Sequence, residues 1–302
     1  MRVRISPSGI HLFNRITGLN ILLDEVRVSP TLQARAPRHV SIALTNLCDL
    51  SCAYCFAPKT LDALDFNKVK EWLIELDING CLGIGFGGGE PTLYPGLVEL
   101  CRFATQTTRL AVTLTTHAHN LHSGLLAELT GNVHFVRVSM DGVGATYEAL
   151  RGRSFSAFLG YLNNIRSLAP FGINFLVNAR TVSDLNAAVA LAADMGAAEF
   201  LLLPEQPVQY RCKGIDKNTI ETFREWVTAY RGSVPLTVSE AGAGGLPTCN
   251  PLESETGLLA YAHIDVSGSL KRSSFDTHGI AIDEEGVMKA LNILSTHQED
   301  LL

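Results

Sequence analysis

Between positions 39 and 206, short runs of apolar and β-branched residues alternate with stretches whose apolar residues recur at helical spacing. The runs at 40–44, 82–86, 110–115, 133–140, 173–178 and 200–203 predict six strands. The first intervening stretch puts Val69, Trp72, Leu73 and Leu76 on one helical face and stops at Gly80, and another carries Phe158, Leu162 and Ile165. Helices with one such face pack on a parallel sheet. A strand and its helix take about 28 residues, near the roughly 30 of a (β/α)8 barrel, but six units fall short of eight. The predicted fold is therefore α/β, a partial (β/α)6 TIM-like barrel over 39–210.

The flanks read differently. Residues 1–38 hold apolar patches at 10–13 and 19–23 around Gly18, which predicts an N-terminal β-hairpin that caps the barrel. Its edge strand is a place where an extended peptide could add by strand pairing. Residues 211–302 predict a small C-terminal α/β extension. It comprises an amphipathic helix with Ile220, Phe223, Trp226 and Tyr230, a strand at 260–266 turning at Gly268, and a helix at 284–294. This extension is expected to cover the barrel opening.

Charge narrows the partners. With 24 basic and 30 acidic residues the net charge is −6, and no run of Lys or Arg is long enough to give the footprint of nucleic-acid binding. No uninterrupted apolar stretch reaches the roughly 18 residues of a membrane span.

The chemistry begins at Cys48, Cys52 and Cys55, spaced Cys-x3-Cys-x2-Cys just after the first strand. Three thiolates on one short loop can hold three corners of a [4Fe–4S] cube and leave the fourth iron open to a small molecule. Zinc usually recruits a fourth protein ligand, and the nearest extra candidate, Cys81, begins a buried strand. A disulfide framework suits a small secreted chain, whereas this one has 302 residues, seven cysteines and no charged-then-apolar leader. Downstream, the second strand ends in Gly87-Gly88-Gly89-Glu90-Pro91-Thr92. Glycine admits close approach of a ligand to the backbone, and a carboxylate accepts from an ammonium group, so the run reads as a clamp for an amino acid's amine. Gly83, Gly85 and Gly88 match the letters of a dinucleotide fingerprint, but they lie inside the strand and no acidic ribose partner follows. No Gly-Lys-Ser/Thr follows either, which removes a phosphate loop.

Together these runs resemble the radical S-adenosylmethionine (radical SAM) enzymes, and Val138-Ser139-Met140-Asp141-Gly142 with Arg151-Gly152 resembles the peptide-modifying members. The resemblance implies that Cys48, Cys52 and Cys55 hold the cluster and that the amine and carboxylate of S-adenosylmethionine occupy its open iron. It implies that Tyr54 packs near the adenine, that Gly88, Gly89 and Glu90 contact the amine, and that Ser139 and Asp141 contact the ribose. Arg151 and Arg153 are candidates for the methionyl carboxylate, or else solvated charges at a helix start. All of these fall at the carboxyl ends of predicted strands, where such folds bind ligands. By the same rule His117, His119, Arg180 and Glu205 fall on the rim, and His117 and Glu205 are candidate catalytic residues on the substrate side. Cys212 is a third, as a hydrogen-atom donor to a substrate radical or, alternatively, a buried free thiol.

The resemblance further implies reductive cleavage of S-adenosylmethionine to a 5′-deoxyadenosyl radical, which takes hydrogen from a substrate. The electron would come from a donor such as flavodoxin or ferredoxin. The substrate would be a ribosomally made peptide or, alternatively, a small metabolite. A non-catalytic iron–sulfur interaction protein is the reading from another class. Relatives with a SPASM or twitch domain continue with a cysteine, a Gly hairpin and a second cysteine. Here Cys249 and Gly268 are present but Ser273 takes the second place, which predicts a shortened, cluster-free extension. An oxygen-sensitive cluster without a leader predicts the cytoplasm.

Overall fold

The computed structural model describes residues 1–208, 212–248, 252 and 254–296. The chain opens on an antiparallel meander in the order β1 (Arg2–Ser6), β2 (Gly9–Phe13) and β3 (Asn20–Leu23). The expected hairpin thus gains a third strand. β1 escapes an apolar pattern because its polarity is inverted: Arg2, Arg4 and Ser6 are buried while Val3 is exposed. Arg2 is held by the Asp77 carboxylate and Arg4 by Glu255.

The barrel follows, with β4 (His39–Thr45), α1 (Phe66–Ile78), β5 (Gly83–Gly88), α2 (Leu97–Thr107), β6 (Ala111–Thr116) and α3 (Ser123–Leu129). It continues through β7 (Phe135–Ser139), α4 (Ala145–Arg151), α5 (Phe155–Ile165), β8 (Phe171–Val177), α6 (Leu185–Asp194) and β9 (Glu199–Pro204). The six strands pair in parallel in sequence order from β4 to β9. Period-two alternation sends Val40, Ile42 and Leu44 of β4, Ile84 and Phe86 of β5, and their counterparts on later strands into the layer packed against the helices, where they are fully buried. Asp65 caps α1 by accepting from the amides of Asn67 and Lys68, and the helix buries Val69, Trp72, Leu73 and Leu76, the face expected from spacing.

Beyond Pro204 come a two-residue hairpin of β10 (Pro207–Val208) and β11 (Cys212–Lys213), then α7 (Lys217–Ala229), β12 (Leu236–Val238) and α8 (Glu240–Ala243). The chain finishes with β13 (Tyr261–Ile264), β14 (Ser269–Lys271), β15 (Ile280–Ala281) and α9 (Val287–Thr296). β12 adds in parallel to β9, and β13 adds in parallel to β4, so the partial barrel carries one further parallel strand on each edge. The C-terminal extension accordingly widens the sheet at β4. One of its residues also reaches the cysteine loop: the rings of Phe275 and Phe56 are 4.8 Å apart. Among the described residues no helix is long and apolar enough to cross a membrane.

Candidate functional site

β4 ends at Thr45, and the chain then loops out and returns to α1. Two pairs of bonds pin the base of this loop: Asn46 N to Asp62 O (2.9 Å) and Leu64 N to Leu44 O (2.9 Å), with Thr45 Oγ1 donating to Asp62 O (3.0 Å) and Asn46 Nδ2 to Thr60 Oγ1 (2.9 Å). The end of β5 holds the other side, where Gly89 N donates to Thr45 O (2.6 Å) and Glu90 N to Leu47 O (2.8 Å). The need for glycine here is steric. A Cβ on Gly88 (φ +127°) would lie 2.3 Å from Thr45 O, and one on Gly89 would lie 2.3 Å from Leu47 O. The two glycines therefore seat the start of the cysteine loop directly on β5. Gly89→Ala is expected to displace that backbone at a cost of about 1–3 kcal/mol, the range for overpacking. Urea unfolding compared with wild type measures it, and an unchanged midpoint would refute the seating role.

Cys48, Cys52 and Cys55 are free and half-buried. Each sulfur has a donor: Leu50 N at 3.4 Å from Cys48, Arg151 Nη1 at 3.9 Å from Cys52, and Lys59 Nζ at 3.8 Å from Cys55. Burial pushes the Cys48 thiol above its ordinary range.

Glu90 is fully buried and its carboxylate is already engaged. Oε1 accepts from Thr92 N (3.1 Å), Thr92 Oγ1 (2.6 Å) and Thr116 Oγ1 (2.8 Å), and Oε2 from His117 N (3.0 Å). The side chain thus ties the end of β5 to the end of β6. His117, expected on the substrate side, is buried against this carboxylate, with Nε2 3.2 Å from Glu90 Oε2 and donating to Asp49 Oδ1 (2.8 Å). Its Nδ1 accepts from His119 N (3.1 Å), which places the ring proton on Nε2. Asp49 also accepts from Arg153 Nη2 (2.9 Å). Burial raises the Asp49 carboxyl, but the His117 hydrogen bond and the Arg153 charge outweigh it and hold the group below its ordinary range. The chain Glu90–His117–Asp49–Arg153 straps the cysteine loop to the rim. Ala118, next to His117, has φ 73° and is fully buried, so the bend that aims His117 is made by a residue that pays a steric cost for it.

A second group lies on the far side of the loop. Asp141 is buried at the turn after β7, accepts from the Tyr54 hydroxyl and from Leu176 N (3.0 Å), and is ion-paired through Oδ2 with Arg151 Nη2 (2.5 Å). Arg151 lies over the Tyr54 ring, 5.9 Å from its centroid. Burial and the Asp141 charge both push the Tyr54 phenol up, so it stays protonated. For Arg151, burial works against the charge, but Asp141 more than restores it and its affinity for the proton rises. Arg151 Nε is buried with no hydrogen-bond partner among the described residues, an unspent donor beside Cys52.

The other expected residues have surroundings of their own. Ser139 ends β7 half-buried, and Glu205 accepts from Asn178 Nδ2 (3.1 Å). Arg180 is exposed. His119 turns to the Tyr147 hydroxyl (2.8 Å) among the rings of Phe158 and Tyr161, and burial with the charges of His117 and Arg153 lowers its pKa to about 4. The backbone of Cys212 pairs with Val208, its side chain lying outside the described residues, as does all of Cys249. Ser273, at the place of a second cysteine, donates to Asp276 Oδ1 (2.9 Å). Asp49 and Lys59 were not singled out from the sequence. Only their nearness to the cysteines could have suggested them.

Three free thiols on one loop, each facing a donor, suit thiolate ligation of an iron–sulfur cube better than a disulfide. Asp49 and His117 lie within 4.8 Å of Cys48 and could extend a ligand set, but they are bonded to each other.

Residues 42–191 match the Radical SAM superfamily. The sporulation killing factor maturation protein SkfB of Bacillus subtilis is 31% identical over 178 residues, 55% of this chain and 41% of that protein. The AdoMet-dependent heme synthase of Methanosarcina barkeri is 29% identical over 181 residues, 56% of this chain and 52% of that protein. The chain therefore spans about half or less of the length of these curated relatives. In overall fold it is similar to Streptococcus suis SuiB bound to precursor peptide SuiA, with a TM-score of 0.73 at 13% identity, covering 96% of this chain and 86% of that one.

Proposed function

The chain belongs to the Radical SAM superfamily, whose cofactors are a [4Fe–4S] cluster and S-adenosylmethionine, and from that premise we propose that it is a maturase of ribosomally made peptides. The observation that carries this reading is the convergence of Cys48, Cys52 and Cys55 with the Tyr54–Asp141–Arg151 group and the Gly88–Gly89 seat at one rim of the barrel. A maturation protein among the relatives and a precursor-peptide complex among the similar folds favour a peptide as substrate.

Cys48, Cys52 and Cys55 would hold the cluster, which when bound would supply one-electron reduction of the sulfonium of S-adenosylmethionine and so radical chemistry at a substrate C–H bond. The protein binds and orients. Arg151, with its buried free Nε–H, receives the methionyl carboxylate. Gly88 and Gly89 receive the amine together with Glu90, whose Oε2 takes one hydrogen bond, from His117 N. Tyr54 flanks the adenine, and Ser139 and Asp141 orient the ribose. Glu205 and Cys212, which follow β9 in sequence, are our candidates for the substrate side, Cys212 as a hydrogen-atom donor. A one-electron carrier of the flavodoxin or ferredoxin type supplies the reductant. A small metabolite is the second reading, favoured by the heme synthase relative and by Ser273 in place of a cluster cysteine.

The test is formation of 5′-deoxyadenosine by anaerobically reconstituted, reduced protein, with and without short peptides encoded beside its gene, and with Cys55→Ala as control. Product that depends on Cys55 and rises with a peptide is expected. A fully loaded protein that forms none with any peptide would end the maturase reading, and product stimulated only by tetrapyrroles or other metabolites would replace it.

A further inference from the structure

The three cysteine sulfurs do not receive equivalent donors. Cys48 faces a backbone amide, whereas Cys52 and Cys55 face cations, Arg151 and Lys59. The two cations differ in what else they touch. Arg151 is paired with Asp141, so much of its field is cancelled locally. Lys59 forms no ion pair among the described residues. Its second contact is neutral, Nζ donating to Leu50 O at 3.2 Å. That contact fixes the ammonium across the loop, because Leu50 is the residue whose amide donates to Cys48. Lys59 therefore links Cys48 through Leu50 to Cys55 and brings to the loop a positive charge with no directly paired carboxylate among the described residues.

Hydrogen bonds and positive charge at the sulfurs of an iron–sulfur cluster stabilise its reduced form. We propose that Lys59 is a positioning residue that sets the reduction potential of the cluster through Cys55 and makes the cluster easier to reduce. The proposal rests on the cluster reading above and assigns to Lys59 a role in electron uptake that is separate from binding S-adenosylmethionine.

The experiment is a redox titration of the reconstituted protein followed by the electron paramagnetic resonance signal of the reduced cluster. It compares wild type, Lys59→Met, Lys59→Gln and Lys59→Arg, with Lys68→Met on α1 as a control for net charge. Iron and sulfide are assayed in every sample. Lys59→Met is expected to reduce the ratio of reduced to oxidised cluster about tenfold at a fixed potential, a fall of about 59 mV for one electron. Lys59→Arg should restore most of it, and Lys59→Gln, which keeps a neutral donor, should fall between. Should Lys59→Met retain too little iron to titrate, Lys59→Gln carries the comparison. A midpoint in Lys59→Met and Lys59→Gln equal to wild type, or a fall no larger than that of Lys68→Met, overturns the proposal. A wild-type protein that assembles no cluster overturns the cluster reading instead.

Discussion

Glu255→Ala is expected to destabilise the protein by about 3–5 kcal/mol, the penalty for removing one partner of a buried ion pair. Glu255 is fully buried and Arg4 nearly so. Arg4 makes four hydrogen bonds, from Nε to Glu255 Oε1 (2.8 Å), from Nη1 to Ala36 O (3.0 Å) and Gly80 O (2.8 Å) and from Nη2 to Leu259 O (3.1 Å), and its Nη2 is ion-paired with Glu255 Oε1 (2.6 Å). Those acceptors belong to β1's neighbours from three separate parts of the chain, so one guanidinium joins the meander, the end of α1 and the C-terminal extension. The pair itself need not stabilise the fold, because two charges were taken out of water to make it. What costs free energy is the orphaned Arg4, together with Arg38, whose Nη1 lies 3.5 Å from Glu255 Oε2 and loses the same carboxylate. Arg4→Met combined with Glu255→Leu should therefore recover much of what Glu255→Ala loses, although each single change is severe. Urea unfolding of the four proteins measures this, and a single Glu255→Ala within 1 kcal/mol of wild type would show that the buried charge finds water. Against total stabilities of roughly 5–15 kcal/mol, the expected loss removes a large part of the fold's margin.

The same cluster shows where sequence reading stops. The strands from β4 to β9 were legible because each is a short apolar or β-branched run, several of them buried at consecutive positions, with helical spacing between the runs. β1 was not, because its buried positions are Arg2, Arg4 and Ser6, and the carboxylates that make this tolerable lie 75 and 251 positions away. β12 was missed for another reason: three residues are too few for any periodicity, and only pairing with β9 makes them a strand. β13 was legible as a strand, but its place in parallel beside β4 depends on long-range pairing that spacing does not encode.

The candidate site divides the same way. Its cysteines and glycines stood out by local spacing, since the chemistry proposed for them needs neighbours in sequence, whereas Asp141 stood out only through the family resemblance. The side-chain directions were not. The amine clamp expected of Glu90 is engaged in bonds to Thr92, Thr116 and His117, and His117 closes on Asp49 instead of facing out, because the end of β6 lies against the end of β5. These roles follow from tertiary neighbours, and a sequence shows only the residue type.

Asp141→Asn tests the other half of the rim with an effect of similar size. Asp141 gathers three donors: the Tyr54 hydroxyl, Arg151 and the Leu176 amide. An asparagine can keep the Leu176 bond through its carbonyl oxygen, but its amide nitrogen must then face the Tyr54 and Arg151 donors. Arg151 would lose its counter-charge while remaining largely buried, which again places the cost at about 3–5 kcal/mol. Part of this falls on the fold and part on the ligand, because Arg151 freed from Asp141 moves from its place beside Cys52. If about 2.7 kcal/mol falls on the ligand, S-adenosylmethionine binds about 100-fold more weakly. Equilibrium dialysis of S-adenosylmethionine against cluster-loaded wild type, Asp141→Asn, Arg151→Gln and the double variant separates the shares. The two residues act as a unit, so the double variant should bind no more weakly than the worse single one. Effects that simply add would show that Asp141 and Arg151 contribute independently, and unchanged affinity in Asp141→Asn would remove this group from the cofactor site and leave it a fastening between β7 and the cysteine loop.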